Sequence, residues 1–329
     1  MQSESMKYSV SGYRLDCQFK DVPIAFVNAL RRILLHEMKV VVIRNVEIVE
    51  NNTNMTNEMI KHRVEQIPVN VHPDDVSTIR DTQIELRFLP SPEAREITSD
   101  EFVITGANRK DILLRDRDLN EPLYFMRLNP NQSIHIKASL GIVERMDQES
   151  LPQVSISTFM NHIVEEQRLE DREKFIAEAG DSNEAEKEAA RIFDNFYYQR
   201  SYSRDEHGRP NWFDFTVESI GVLKPKELLK QAVEVLKGKV NEFANAPVLN
   251  EEPNWYRIEM ENESFTIGQL VQEIMYNENL VESISRDIGH PLQPKLVVRF
   301  NTSMPSKEAI AGFSKKALAL CDNVLQTLQ

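Results

Sequence analysis

From Tyr13 to Lys20 the chain alternates apolar and polar residues: Tyr13, Leu15, Cys17 and Phe19 face one way, and Arg14, Asp16, Gln18 and Lys20 the other. A period of two predicts a half-buried strand. The period then becomes helical, with Phe26, Val27, Leu30, Ile33 and Leu34 at i, i+1, i+4, i+7 and i+8. Asp21 is placed to cap this helix, and Pro23 falls in its first turn, where a missing N–H costs nothing. Asn28, Arg31, Arg32 and Leu35 make a second stripe, so the helix has two faces to satisfy. Two adjacent guanidiniums suit paired carboxylates or backbone carbonyls of a partner. Read alone, the same segment is an ordinary amphipathic helix with solvated arginines. Val40 to Val49 follows as a β-branched strand returning from the helix.

The same order of elements recurs further on. Phe213, Phe215 and Val217 alternate as a strand, which ends at Gly221. Pro225 opens a helix with Leu228 or Leu229, Ala232, Val235, Leu236 and Val240 along one side. Tyr256, Ile258 and Met260 then alternate, and Thr266 with Gln269 three residues on reads as a capping box, with Phe265 and Leu270 as a hydrophobic staple. Ile267, Leu270, Val271, Ile274 and Met275 are the core face of that helix. Leu296, Val298 and Phe300 alternate after a turn at Pro291 and Pro294. Pro305 introduces a last helix whose Ile310, Phe313, Ala317, Leu320 and Val324 fall at a three-four spacing, close to a coiled-coil seam. Two long helices with uncovered apolar edges are expected to pack on each other, giving a pseudo-twofold axis inside one chain. The turn-rich span around Asn245, Pro247, Asn250 and Pro253 reads as the connection.

Between these parts lies a region of different character. Ile84, Leu86 and Phe88 alternate as a strand, and Ile134, Ile136 and Ala138 as another after the turn residues Asn129, Pro130 and Asn131. From Glu165 to Arg191 the chain is strongly charged with helical spacing, interrupted at Gly180 to Asn183, and reads as two solvated helices. The expected fold class is α+β. Residues 1–49 and 206–245 form one half-domain of antiparallel sheet and long helices, 50–205 an inserted mainly-β domain with the charged excursion near 165–191, 246–254 a linker, and 255–329 the second half-domain.

Composition narrows the function. A formal net charge of −13 argues against direct grip on nucleic acid, which needs clustered lysines and arginines to displace counterions. The two cysteines, Cys17 and Cys321, stand nearly a chain length apart, and there is no apolar run of ~18 residues. A soluble protein of a reducing compartment is expected. With ten glycines in all, no phosphate loop or dinucleotide fingerprint is present, and none of the seven histidines stands in an HExxH pattern. Asp116 and Asp118 flank Arg117 at a spacing that could hold magnesium, but the run RDRDLNEP reads as a charged loop. His62 beside Arg63 is a weak general-base candidate, since neighbours one apart on a helix do not face each other.

Several separated segments resemble the assembly platform of multisubunit DNA-directed RNA polymerases: the bacterial alpha subunit's N-terminal domain, and subunit three of eukaryotic polymerase II with its archaeal counterpart. NALRRILLHE (Asn28 to Glu37), VEIVENNTNMTNEMIKHRVEQIPV (Val46 to Val69) and FDFTVESIGVLKPKELLKQAVEVL (Phe213 to Leu236) carry that likeness. ESFTIGQLVQEIM (Glu263 to Met275) and HPLQPKLVVRFNT (His290 to Thr302) resemble the small partner subunit, number eleven in eukaryotic polymerase II, which also has an archaeal counterpart. The chain thus looks like subunits three and eleven fused end to end. Fused chains of this kind are a feature of some large DNA viruses that encode their own polymerase.

The resemblance implies a non-catalytic scaffold, and the chain's departure from the family's cysteine pattern leads to the expectation of no cofactor and no resident metal. It implies docking to the second-largest and largest polymerase subunits through Asn28, Arg31 and Arg32, with Glu58, His62 and Arg63 nearby. Leu229, Val233, Leu236, Phe313, Leu320 and Val324 would form the internal pairing surface. A small zinc-binding subunit of the subunit-ten type is expected beside the first half, DNA is met only through the complex, and neither a membrane contact nor a homodimer is implied. Many subunit-three chains carry metal-binding cysteines in the inserted domain, and none stands between Glu50 and Asp205 here. For a viral source the expected location is the host cytoplasm and the virion, and otherwise the nucleus or cytoplasm with the polymerase. The rival readings are a free-standing dimerisation module of the same fold and an enzyme using Asp116 and Asp118.

Overall fold

The structure is a computed structural model, and it describes residues 7–9, 12–106, 111–143, 153–179, 183–261, 263, 265–290 and 293–328. The early elements are β1 (Lys7–Tyr8), β2 (Arg14–Lys20), α1 (Ile24–His36), β3 (Val40–Asn51), α2 (Asn57–Glu65), α3 (Val76–Asp81) and β4 (Gln83–Phe88). Next come β5 (Arg95–Thr98), β6 (Val103–Thr105), β7 (Tyr124–Leu128), β8 (Ile134–Val143), β9 (Val154–Asn161), α4 (Glu165–Glu178) and α5 (Asn183–Ile192). The remaining elements are β10 (Trp212–Ser219), α6 (Pro225–Asn245), β11 (Val248–Glu252), β12 (Trp255–Glu261), α7 (Phe265–Asn277), β13 (Ser283–His290), β14 (Gln293–Asn301) and α8 (Ser306–Thr327). The fold is α+β, and the chain divides into two compact units.

The first unit comprises Met1–Ile33, Ser157–Val217 and Leu229–Gln329. It holds two four-stranded sheets, ordered β1-β2-β10-β9 and β11-β12-β14-β13. The two orders are the same motif written twice: a short edge strand, the strand that feeds a helix, the strand that feeds the last helix, and the strand before it. The helices repeat as faithfully. Ala25, Phe26, Val27, Ala29, Leu30, Ile33 and Leu34 are the buried positions of α1, and Thr266, Ile267, Gly268, Leu270, Val271, Ile274 and Met275 reproduce that spacing in α7. On α6 the buried residues Leu228, Leu229, Ala232, Leu236, Lys239, Val240 and Phe243 are matched in spacing by Ala309, Ile310, Phe313, Ala317, Leu320, Cys321 and Val324 on α8, while buried Val233 has no buried counterpart there. Each half therefore runs strand pair, helix, strand pair, helix around one sheet, with apolar positions wider than a single stripe.

The core of this unit is aromatic. Phe19 meets Phe26 and Phe215 edge-on at 6.4 and 5.4 Å between ring centres, and Phe243 meets Phe313 at 5.4 Å with the planes 79° apart. The Phe243 and Phe313 rings come from α6 and α8, and Lys237 on α6 also reaches Asp322 on α8 at 3.1 Å. As the α6 number rises the α8 number falls, so the two helices run antiparallel across each other. The charged excursion forms α4 and α5, followed by a π-helical stretch Phe193–Tyr197. Phe175 packs on Phe193 and Tyr197, and Arg172 pairs with Asp194 at 3.0 Å. Residues 180–182 of the expected interruption lie outside the described residues.

The second unit comprises Leu34–Ile156 and Glu218–Leu228. Its sheet is ordered β3-β8-β4-β6, with β5 and β7 as a separate pair. Val41, Ile43, Ile60, Val64, Ile84, Leu86, Ile134 and Ile136 are among its buried core. Here the expected boundaries move. The strand assigned to the first half-domain up to residue 49 is β3, and it pairs antiparallel with β8 from Val40↔Val143 to Asn51↔Ile134. Strand pairing is non-local, so a β-branched run does not reveal which sheet it will join. At the other end, Ser157–Val217, including the charged helices, clusters with the half-domains. The expected linker also contains β11, which pairs with β12 as a hairpin turning at Asn254, whose φ is +67°.

Phe313 tests the seam most directly, because its ring is fully buried against Phe243. Phe313→Ala should lower stability by about 3–5 kcal/mol, read as a lower urea midpoint. An unchanged midpoint would show that the α6–α8 contact contributes little.

Candidate functional site

Helix α1 begins one residue after Pro23, and Phe26 N–H donates to the Pro23 carbonyl at 3.0 Å. Asp21 does not cap it. Its φ is +56°, and its Oδ1 accepts from Asn211 Nδ2 at 3.2 Å. The cap comes from the other half of the chain: Ala25 N–H donates to Glu273 Oε2 on α7 at 3.0 Å. A carboxylate at a helix N-terminus satisfies orphan amides and complements the helix dipole. Burial pushes the Glu273 carboxyl above its ordinary range, while the Ala25 and Ile24 amides and Arg209 pull it back only in part.

A reciprocal bond lies at the other end of the same contact. Arg32 Nε, near the C-terminus of α1, donates to Thr266 Oγ1 in the first turn of α7 at 2.8 Å. Thr266 lies inside the helix and not ahead of it, which displaces the expected capping box. As residue numbers rise from Ala25 to Arg32 on α1 they fall from Glu273 to Thr266 on α7, so these helices also run antiparallel. Between the two halves sits one further bond, fully buried: Lys239 Nζ on α6 lies 2.6 and 2.7 Å from the carboxylate oxygens of Glu263, just ahead of α7.

The six residues expected on the internal surface are all buried. Leu229, Val233 and Leu236 lie on α6, and Phe313, Leu320 and Val324 on α8. Sequence reasoning overlooked Lys239, Phe243, Glu263 and Glu273. A signal for Lys239 existed, since Ala232, Leu236, Lys239 and Phe243 follow a four-three-four spacing in which a lysine stands at an apolar position. Glu273 had no such signal, because its partner is a backbone amide almost 250 residues away.

The expected docking residues separate into two groups, one in each unit. On α1, Asn28 Oδ1 accepts from Arg31 Nε at 3.1 Å. Burial and the neighbouring Arg32 lower the pKa of Arg31 from its ordinary value, yet among the described residues no carboxylate pairs with it. Arg32 is directed at Thr266 instead. On α2, Thr56 caps the helix by accepting from Met59 N–H at 3.4 Å, and Glu58 and His62 lie exposed one turn apart. Arg63 turns inward within its unit, donating to the Phe125 carbonyl with its guanidinium over the Phe125 ring.

The Asp116 carboxylate accepts from the backbone amides of Asp118 and Leu119 at 3.0 and 2.7 Å, a turn closed by a side chain. That bonding accounts for the DxD spacing without an ion. Among the described residues no cluster of three or more histidine, cysteine or acidic side chains could hold a metal, and no helix is long and apolar enough to cross a membrane.

Two stretches of the chain, residues 17–240 and 256–327, each match a family model described as the RNA polymerase Rpb3/Rpb11 dimerisation domain. The chain is 26% identical over 263 residues to DNA-directed RNA polymerase subunit Rpo3 of Thermococcus kodakarensis, covering 74% of this chain and 93% of that protein. It is also 26% identical over 264 residues to the Dictyostelium discoideum subunit rpac1 of RNA polymerases I and III, covering 67% and 74%. The bovine subunit RPAC1 of the same polymerases is 24% identical over 281 residues, covering 70% and 80%.

The sign of the Glu273 shift makes a prediction. A carboxyl raised in the folded state binds more protons folded than unfolded, so its contribution to stability falls as pH rises from below 4.5 through the folded value. Glu273→Gln, which keeps an acceptor for Ala25, should remove that fall. Thermal melts from about pH 4 to 7 should run together toward the acid end and separate as pH rises, with the variant relatively favoured near neutrality.

Proposed function

This chain belongs to the RNA polymerase Rpb3/Rpb11 dimerisation-domain family, and on that premise we propose that it is a non-catalytic assembly subunit of a multisubunit DNA-directed RNA polymerase. Its two dimerisation domains pair with each other, and the paired halves serve as a platform for the second-largest and then the largest subunit. The observation that carries this reading is the reciprocal α1–α7 contact. Glu273 on the amides of α1 and Arg32 on Thr266 bind the two halves into one unit.

Fusion supports the same reading. Two separate chains would need an interface of roughly 2,000 Å² or more to remain together. Joined chains meet at an effective concentration on the order of millimolar and in fixed one-to-one ratio. Docking falls to Asn28 and Arg31 on α1 and to Glu58 and His62 on α2. Arg32 contributes through its hold on α7, and Arg63 by fixing α2 against Phe125. A small zinc-binding subunit of the subunit-ten type sits beside the first half, and DNA is met only through the complex. For a viral source the chain works in the host cytoplasm and is carried in virions, and otherwise it accompanies the polymerase in nucleus or cytoplasm.

The test is affinity purification of the tagged chain from its natural setting with companions identified by mass. Wild type should bring down two very large subunits. Arg31→Glu, which breaks no ion pair among the described residues, should lose at least about 90% of them while keeping its melting temperature, since reversing one desolvated charge contact costs about 2 kcal/mol or more. If wild type brings down no large subunit, a free-standing dimerisation module takes the place of this reading.

A further inference from the structure

The two halves repeat each other closely enough that either could pair with a second copy of itself through the same surface. What distinguishes the right pairing from the wrong ones must lie where the repeat is broken. It is broken most sharply at the one buried ion pair found among the described residues. Lys239 and Glu263 have side chains only 5% and 2% exposed and lie 2.6 Å apart. Lys239 holds on α6 the place that Leu320 holds on α8, and Glu263 precedes Thr266 by the interval at which Val22 precedes Ala25. The pseudo-symmetric mate of Lys239–Glu263 is therefore Leu320–Val22. Those two apolar residues line one cleft of about 230 Å³ in the same unit.

We propose that this asymmetry is a pairing code: an ion pair on one side of the pseudo-twofold axis and two apolar side chains along one cleft on the other direct the first half to the second and reject like-with-like association. In a pair of first halves, Lys239 of each copy would face Val22 of the other. In a pair of second halves, Glu263 would face Leu320. Each wrong pairing sets two charges against an apolar side chain in place of their partner, and the loss of a buried charge's partner weakens a contact by roughly a hundredfold or more. A second break points the same way. Arg32 and Glu273 occupy equivalent places on α1 and α7. In a pair of first halves, Arg32 would replace the carboxylate at the N-terminus of α1, setting a donor against donors. The code rests on packing within the chain and not on any polymerase partner.

The purified full-length chain tests it without other subunits, so failure leaves the polymerase reading untouched. Wild type, Lys239→Leu/Glu263→Val, which copies the apolar mate, and Lys239→Glu/Glu263→Lys, which keeps the pair reversed, are unfolded in urea and refolded at low and high concentration. Oligomeric state is then read by sedimentation velocity. Wild type and the reversed pair should return as monomers at both concentrations, and the apolar double variant should return with a dimer at the high concentration, set near the roughly millimolar effective concentration of the joined halves. The single variant Lys239→Leu should lose on the order of ten degrees of melting temperature, most of it restored in the double variant. The code is overturned if the apolar double variant stays monomeric, if the reversed pair dimerises equally, or if Lys239→Leu alone is as stable as wild type.

Discussion

Everything in the first unit depends on covering the second face of four helices. Each half-domain lays its helices on one sheet, but the buried positions of α6 run from Leu228 and Leu229 through Ala232 and Val233 to Phe243, too wide a band for one sheet to cover. A band of that width left in water would forfeit about 25 cal/mol per Å² of apolar surface and invite association. The other half supplies the cover, with Phe313 against Phe243 at the centre.

Polar groups at this seam do a different job from apolar ones. Apolar contact is non-directional, and the matched spacing of α6 and α8 would tolerate several registers. The bonds from Glu273 to Ala25 and from Arg32 to Thr266 are directional, and they set α1 antiparallel to α7 at one register. Buried charge is a poor source of net stability but a good source of uniqueness when every partner is supplied. Lys239 and Glu263 follow that logic, each buried and each held by the other.

The sequence was legible where structure is local. Alternation located β2, β4, β8, β10, β12 and β14, and helical spacing located α1, α6, α7 and α8, because these patterns need only the neighbouring residues to be read. It was illegible where partners are distant. Asp21 had the composition of a cap, yet its backbone is left-handed and the cap is Glu273. Val40–Asn51 had the composition of a strand, but its pairing with β8 was not written in it. Turn residues around Asn250 and Pro253 suggested a loop, where a hairpin turning at Asn254 carries β11. The docking stripe was visible as Asn28, Arg31 and Arg32, but only the folded arrangement separates Arg31, held by Asn28, from Arg32, held by Thr266.

That separation gives the proposed docking its physical basis. A free arginine loses about 2 kcal/mol of side-chain entropy when it is fixed in a contact. Arg31 has already lost part of that freedom, because Asn28 holds its Nε. It is also partly desolvated and stands beside a second guanidinium, both of which lower its pKa and raise the energy of the isolated surface. An acidic group from a partner offsets the uncompensated positive charge, and a basic or apolar one does not. Under the proposed docking, the partner group that suits Arg31 is a carboxylate, while a net charge of −13 repels phosphate-rich nucleic acid over most of the surface.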